Sequence, residues 1–435
     1  MLYLALALLI AQGAPSPDWT HLPSGPWDAW LETRGGRLRF ELEFGVDADS
    51  NTTTAVRNDS ERVPVARVSW SRDTRELALD FDPYDSRITA FATDDGLTLA
   101  GTWRKRRGSD KWTELRFGAS AVRATERDDD RVPVDSRLNA ACGEIQPANG
   151  GFFGSWAVSF ASDPTPAVAA FDPVYVSCGF PVAPLERFAG TILTTLGDYR
   201  YLSGRFAFES EQIELSCFDG AHAFLFKAKL LEDGSLAGDF WSGDSWHDTW
   251  TAVRDDNAAL PDPFGLTQAR EGVKLDELAF PDLDGVVRKL GDAQFAGKAR
   301  VVQLFGTWCP NCNDETRYLA ELHERYGARG LSILGLAFEL TGDFARDAGQ
   351  VRKYAAHHRI RYPLLVAGVS DKQKASERFP LLDKVRAYPT TLFVDSKGVV
   401  RAVHQGFSGP ATGAAHAKLR QDFERLIETL LAEAK

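Results

Sequence analysis

The passage Val301–Glu315, "VVQLFGTWCPNCNDE", constrains the chain most, because an apolar run passes through a cysteine pair into a charged stretch. The run reads as a buried strand. Beyond the pair, Leu319, Leu322 and Tyr326 recur at helical spacing. Cys309 thus falls at a strand-to-helix junction, where the unpaired N–H groups and the dipole of a helix N-terminus favour negative charge. Cys312 lies one turn on, on the same side, and Pro310 suits a first turn that needs no N–H from it. A thiolate is the reactive form of cysteine. The spacing therefore supplies a nucleophile and a second thiol able to attack a mixed disulfide on the first.

Other uses of two thiols fit less well. Zinc needs four ligands, usually two such pairs or a pair with two histidines, whereas Cys142, Cys178 and Cys217 are isolated and His323 belongs to the helix. A c-type haem site has histidine directly after the pair; Asn313 stands there. A permanent disulfide across so short a loop gains little chain entropy. No metal and no cofactor beyond a redox-active Cys309–Cys312 disulfide is expected.

At 435 residues the chain exceeds one ordinary core, and its pattern changes near residue 260. From Trp19 to Ala259 it reads as all-β, with alternating runs such as "RLRFELEF" (37–44) and "ELALDF" (76–81) between Gly, Asp and Asn turns. This region repeats itself. "DDGLTLAGTWRKRRGSDKWTEL" (94–115) matches "EDGSLAGDFWSGDSWHDTWTAV" (232–253), each with a Gly-anchored strand followed by a strand opening Trp-Thr. "GPWDAW" (25–30) matches "GSWAVSF" (154–160) more loosely. A duplicated antiparallel meander joined near 125–150, barrel- or sandwich-like, is expected.

Beyond the linker "DDNAALPDPFG" (255–265) strands alternate with helices. "LSILGLAFE" (331–339) is a buried strand and 345–358 a helix. "TTLFVDSKGVVRAVHQGF" is a hairpin turning at Ser396-Lys397-Gly398, and an amphipathic helix carries Leu419, Phe423, Leu426, Ile427 and Leu430. That order predicts a mixed α/β sheet covered on both faces. The expected division is a leader over 1–14, an all-β domain over 19–259 and an α/β domain over 260–435.

A formal charge of −11 argues against nucleic acid or an anionic membrane as partner. The cluster Arg104, Lys105, Arg106, Arg107 reads as a solvated hairpin turn. The apolar run Leu2–Ile10 followed by small residues reads as a secretory signal, too short to span a bilayer, and no later stretch is apolar enough for stable membrane insertion. Export, to the periplasm or cell envelope, permits disulfides. Cys142 and Cys178, both beside glycine, are the favoured pair, and Cys217 reads as a buried inert thiol.

The redox region resembles the TlpA-like exported thiol–disulfide oxidoreductases of the thioredoxin superfamily. The resemblance lies in "FGTWCPNC" (305–312), Glu315 three residues on, "AYPTTLFVDSKGVV" (387–400) and the closing helix, and covers roughly 265–435. It implies a thioredoxin fold in which Pro389 is cis and faces the dithiol, and in which the backbone of Tyr388 pairs with bound substrate as a short strand. Trp308 reads equally as a shield for the pair or as plain packing, and Thr390 completes the substrate-binding set with Tyr388 and Pro389. Glu315, on the face of Cys312, relays the proton of the resolving thiol or raises its pKa, the plainer alternative being an acidic residue that complements the helix dipole. Gln303 takes the place of the buried aspartate of thioredoxins, and Arg317 stands where the family has proline, which puts a helix kink in doubt. Partners implied are protein disulfides as substrates and a membrane electron donor.

The β region resembles the N-terminal part of some TlpA-like proteins, which implies no chemistry. Asp219, His222 and His247, with Trp241, Trp246 and Trp250 as an apolar wall, could line a cavity; core and turn roles are the plainer reading. Two rival functions remain: a peroxiredoxin-like peroxidase, although Gly306 stands where that pattern has threonine, and a β-barrel binding or docking module with an accessory redox domain.

Overall fold

The computed structural model describes residues 22–122, 153–173, 187–207, 212–295 and 297–434. The leader expected over 1–14, the join near 125–150, and Cys142 and Cys178 with the disulfide expected between them lie outside the described residues.

Nine strands form the first sheet: β1 (Gly25–Thr33), β2 (Gly36–Val46), β3 (Thr52–Asn58), β4 (Glu61–Pro64), β5 (Arg67–Ser71), β6 (Glu76–Phe81), β7 (Ser86–Ala92), β8 (Thr98–Arg106) and β9 (Trp112–Ala121). Strand β2 shows why such segments extend. Leu38, Phe40, Leu42 and Phe44 are buried, while the charged residues between them turn outward. The sheet is antiparallel, in the order β4-β3-β2-β1-β9-β8-β7-β6-β5. Nine more strands follow: β10 (Gly154–Phe160), β11 (Asp163–Pro173), β12 (Arg187–Thr194), β13 (Gly197–Asp198), β14 (Leu202–Ala207), β15 (Gln212–Phe218), β16 (Ala223–Leu230), β17 (Leu236–Ser242) and β18 (Trp246–Arg254).

The expected duplication extends to register. Each neighbour pair of the first sheet recurs in the second nine strands further on, β1–β9 as β10–β18 and β3–β4 as β12–β13. Trp27 opposite Ala121 corresponds to Trp156 opposite Arg254, and Leu31 opposite Phe117 to Phe160 opposite Trp250. Gly101 and Gly238 face those same partners, Phe117 and Trp250. The Trp-Thr match made in the sequence is therefore out of step. The counterpart of Trp250 is Phe117, not Trp112, because the β8–β9 turn is longer than the β17–β18 turn.

The copies differ in closure. Pairing of β12 with β14 seals the second into an eight-stranded barrel with β13 as a spur. The corresponding strands β3 and β5 of the first do not pair, and the sheet stays a half-barrel. Phe218, at the end of β15, fills the opening, its ring 4.5 Å from that of Phe40, 5.3 Å from Trp103 and 5.6 Å from Phe81. Asn58 fixes it there, donating to Phe218 O at 2.8 Å and accepting from Phe218 N at 3.0 Å. The barrel interior is packed with Trp156, Phe171, Phe188, Phe226, Phe240 and Trp250. The tryptophans offered as one cavity wall are separated: Trp250 is core, Trp246 is exposed, and Trp241 packs on the half-barrel.

The C-terminal domain begins with a hairpin, β19 (Ala279–Pro281) and β20 (Val287–Lys289). Its main sheet has the order β23-β22-β21-β24-β25, from β21 (Ala299–Phe305), β22 (Leu331–Glu339), β23 (Leu364–Val369), β24 (Thr390–Val394) and β25 (Val400–Gln405). Strands β21, β22 and β23 are parallel, β24 runs against β21, and β25 runs against β24. Helices α1 (Pro310–Tyr326), α2 (Phe344–His357), α3 (Lys372–Arg378) and α4 (Ala414–Glu433) cover the sheet, α4 burying Leu419, Phe423, Ile427 and Leu430. With Arg317 in place of proline, α1 runs as one uninterrupted helix. The segment read as a linker packs on β25: Gln405 N donates to Pro263 O, and the ring of Phe264 sits 4.9 Å from that of His404. Among the described residues no helix is long and apolar enough to cross a membrane.

Candidate active site

Strand β21 ends at Phe305, and the loop Gly306–Trp308 delivers Cys309 to the N-cap of α1. Cys312 N donates to Cys309 Sγ at 3.2 Å, so one of the orphan N–H groups of the helix is aimed at that sulfur. The Cys309 thiol donates to Tyr388 O at 3.4 Å, and the Tyr388–Pro389 bond is cis, as the resemblance implied. Both cysteines are free thiols. Cys309 is 7% exposed and Cys312 0%. Burial pushes the Cys312 thiol well above its ordinary range, reinforced by the hydrogen bond with Cys309 and by the nearby charges of Cys309 and Glu315.

Glu315 is fully buried on the same helix, where burial raises its carboxyl to about 7. Two hydrogen bonds hold it back from a larger shift: Thr391 Oγ1 donates to Oε1 at 2.7 Å and Gln303 Nε2 to Oε2 at 2.8 Å. Gln303 is thus the carboxylate's donor rather than a vacant relay position. Its own Oε1 accepts from Thr316 Oγ1 at 3.1 Å, and Thr316 in turn accepts from Tyr354 OH at 2.7 Å. A second buried carboxyl, Glu339 at the end of β22, is also raised to about 7 by burial. It accepts from Thr307 N at 2.9 Å and Thr307 Oγ1 at 2.8 Å, bracing the loop before Cys309.

Trp308 stands beside the pair with Nε1 donating to Phe338 O at 2.9 Å and its ring edge-on to Tyr388 at 5.6 Å. Gly306 is needed for that pose, since a Cβ there would collide with the indole. Thr390 is less available than the resemblance implied: it is fully buried and its hydroxyl donates to Ala387 O at 2.9 Å.

Sequence reading missed what the β domain brings to this site. Asn311, between the cysteines, donates from Nδ2 to Asp198 O of β13 at 3.3 Å. Arg200, just past β13, is buried in ion pairs with Asp314 of α1, Glu61 of β4 and, at 3.2 Å, Asp219. The basic cluster is not a plain solvated turn either. Lys105 donates to Ala221 O at 2.8 Å, and burial draws its ammonium down to about 8 against the opposing charges of Asp219 and Cys309. Arg106 holds Asp85 at 2.7 Å. Asp219 and His222 meet at this junction, 3.3 Å apart, whereas His247 is remote and exposed on Asp239. The one signal available beforehand was a second acidic residue, Asp314, next to Glu315 near the start of a helix that buries its dithiol. Cys217 is a fully buried free thiol, pushed up by burial. Among the described residues no three His, Cys, Asp or Glu side chains group to hold a metal ion.

Residues 272–403 match the AhpC/TSA family. The thioredoxin-like protein YneN of Bacillus subtilis is 27% identical over 137 residues, 32% of this chain and 72% of YneN. The thiol-disulfide oxidoreductase ResA of Geobacillus kaustophilus is 24% identical over 164 residues, 38% of this chain and 80% of ResA. The thiol:disulfide interchange protein DsbE of Vibrio cholerae is 25% identical over 186 residues, 41% of this chain and 85% of DsbE. Among solved structures, a thiol:disulfide interchange protein of the thioredoxin family from Chlorobium tepidum aligns with 23% identity and a TM-score of 0.28, covering 37% of this chain and 99% of that one.

Proposed function

We propose that this chain is an exported thiol–disulfide oxidoreductase that reduces disulfides through Cys309 and Cys312. The observation that carries the reading is Cys309 at the N-cap of α1, with Cys312 N aimed at its sulfur and the carbonyl of the cis Tyr388–Pro389 pair against it. The relatedness to ResA and DsbE supports the same chemistry.

In the reaction, the Cys309 thiolate attacks one sulfur of a substrate disulfide. A Cys309–substrate disulfide forms and the other substrate sulfur leaves as a thiolate, to be protonated. Cys312 then loses its proton, to which the Glu315 carboxylate is the nearby buried base, and attacks Cys309 Sγ. The second substrate sulfur departs, two electrons have passed to the substrate, and Cys309 and Cys312 are left as a disulfide. Since Cys312 starts as a protonated, buried thiol, it waits until the mixed disulfide has formed. Substrate is held beside Trp308 and the Tyr388–Pro389 backbone. Re-reduction falls to an electron donor at the membrane, and the division into 19–259 and 260–435 assigns this chemistry to the second part.

The test is the reduction potential of Cys309/Cys312, equilibrated against thiol buffers and read by alkylation. Dithiols on this fold span about −270 to −120 mV, so a value below about −240 mV is expected of a donor-fed reductase and one above about −150 mV would make the chain an oxidant. A pair that forms no disulfide in any buffer would overturn the reading. Peroxide consumption that depends on Cys309 would favour the peroxidase alternative.

A further inference from the structure

The β domain lies across the face of the redox domain on which Cys309 opens. The turn Thr194–Arg200 makes the contact beside the dithiol. Gly197 lies so close to Asn311 that a Cβ there would collide with the amide, and Asp198 O takes the Asn311 hydrogen bond. Asp198 Oδ2 accepts from Gly409 N, and Thr195 O accepts from Gln405 Nε2 at 3.0 Å. Leu196 packs on Gly406, whose N–H donates to Pro389 O at 2.9 Å. The same turn therefore covers the residue between the cysteines and the loop that backs the cis proline. Arg200 ties it to α1 through Asp314.

The other flank is closed by the first repeat. The β6–β7 turn rests on α2, where Gln350 Nε2 donates to Asp82 O at 2.7 Å and Pro83 O at 3.1 Å, and Arg346 pairs with Asp85. Ser109 Oγ donates to Thr341 O at 3.0 Å. Glu61, on Arg200, comes from β4, the counterpart of β13. Equivalent hairpins of the two copies thus converge on one arginine beside the dithiol.

We propose that the β domain is a selectivity cap. The dithiol acts on low-molecular-weight or short-peptide disulfides, and a folded protein reaches Cys309 only when the turn Thr194–Arg200 lifts from α1. A folded partner needs the ground around the nucleophile, and the chain's own barrel already occupies its Asn311 side and the Gly406 loop behind the cis proline. This rests on the thiol–disulfide reading and narrows its substrate.

The experiment uses the reduced full chain and two reagents of one chemistry, N-ethylmaleimide and a maleimide on a long polyethylene glycol. Modification of Cys309 is followed by peptide mass mapping, with glutathione as the reference thiol. The polymer reagent should lag by about tenfold or more beyond its lag on glutathione, as for a site open only in a minor population. Asp314→Asn, which removes one carboxylate from Arg200, should shrink that gap and raise the rate on a folded protein disulfide more than on glutathione disulfide. Equal access of both reagents to Cys309 in the unmutated chain would overturn the cap, whether or not the variant folds. If Cys309 alkylates readily yet no disulfide is reduced, the redox reading fails, and the ratio of the two reagents still decides the cap.

Discussion

Gln303 and Thr391 face each other across the paired strands β21 and β24, and both donate to the carboxyl group of Glu315. One register pair thus holds the buried acid from both oxygens, and each hydrogen bond favours its ionised form. Removing either donor without changing shape, as in Gln303→Met or Thr391→Val, should lift the Glu315 carboxyl further above about 7. Charged hydrogen bonds are worth about 1.5–3 kcal/mol, so a rise of about one to two pKa units is expected. Carbon-detected NMR titration of the Glu315 carboxyl measures it; an unchanged value would mean that burial alone sets the shift.

The two thiols should alkylate in strict order. Cys309 keeps a small exposed face, 7% of its surface, whereas Cys312 is fully buried with its thiol pushed well above the ordinary range. Iodoacetamide at neutral pH should label Cys309 first and Cys312 slower by about tenfold or more, since each pKa unit costs a factor of ten in thiolate. In Cys309→Ser the label on Cys312 should stay slow and rise with pH. Equal labelling of both residues in the folded protein would contradict the burial argument.

Glu315 makes stability depend on pH. Its carboxyl is raised from 4.5 to about 7, so the folded state holds a proton that the unfolded chain gives up. Stability conferred by that proton is present in full below 4.5 and is lost as pH rises through about 7. The loss contributed by this group is about 3 kcal/mol. Glu315→Gln, which keeps the hydrogen-bonding shape and cannot ionise, should flatten the curve across that window, and Glu339→Gln should do likewise, because Glu339 is raised to about 7 as well. Urea midpoints measured on both sides of the window decide it; a slope unchanged in both variants would show that neither group carries the dependence.

Phe218 is the largest side chain that the barrel buries fully in the core of the half-barrel, beside Ala221, Ala223 and Leu225. Phe218→Ala should destabilise the protein by about 3–5 kcal/mol, the range for a large buried aromatic. The loss should appear first as faster hydrogen exchange in β3 and β5, on either side of the opening, with β16–β18 protected for longer. Uniform exchange throughout both copies would mean that the opening has no separate stability.

Much of the C-terminal domain was legible because its signals are local. The apolar run of β21, the cysteine spacing and the Ser396–Gly398 turn each reflect constraints within a few residues, and the structure has β24 and β25 joined at that turn. The duplication was legible as well, since Gly101 and Gly238 mark the same contact: a Cβ at either would press into the neighbouring strand, against Ala90 or Ala228. The alignment slipped at Trp112 because a tryptophan at a strand opening resembles one in mid-strand until register decides which is buried.

The sequence by itself determined the strand and helix grammar, the doubling of the β meander and the reactive pair, because periodicity, turn chemistry and the Cys309–Cys312 spacing act along a short length of chain. Tertiary structure alone decided that one copy closes and the other stays open, that Gln303 serves Glu315, and that Arg200 joins Glu61, Asp219 and Asp314 beside the dithiol. Those four charged groups are spread over more than 250 positions of sequence, with no common period or motif. Only burial, which makes an unpaired charge costly, selects their meeting place.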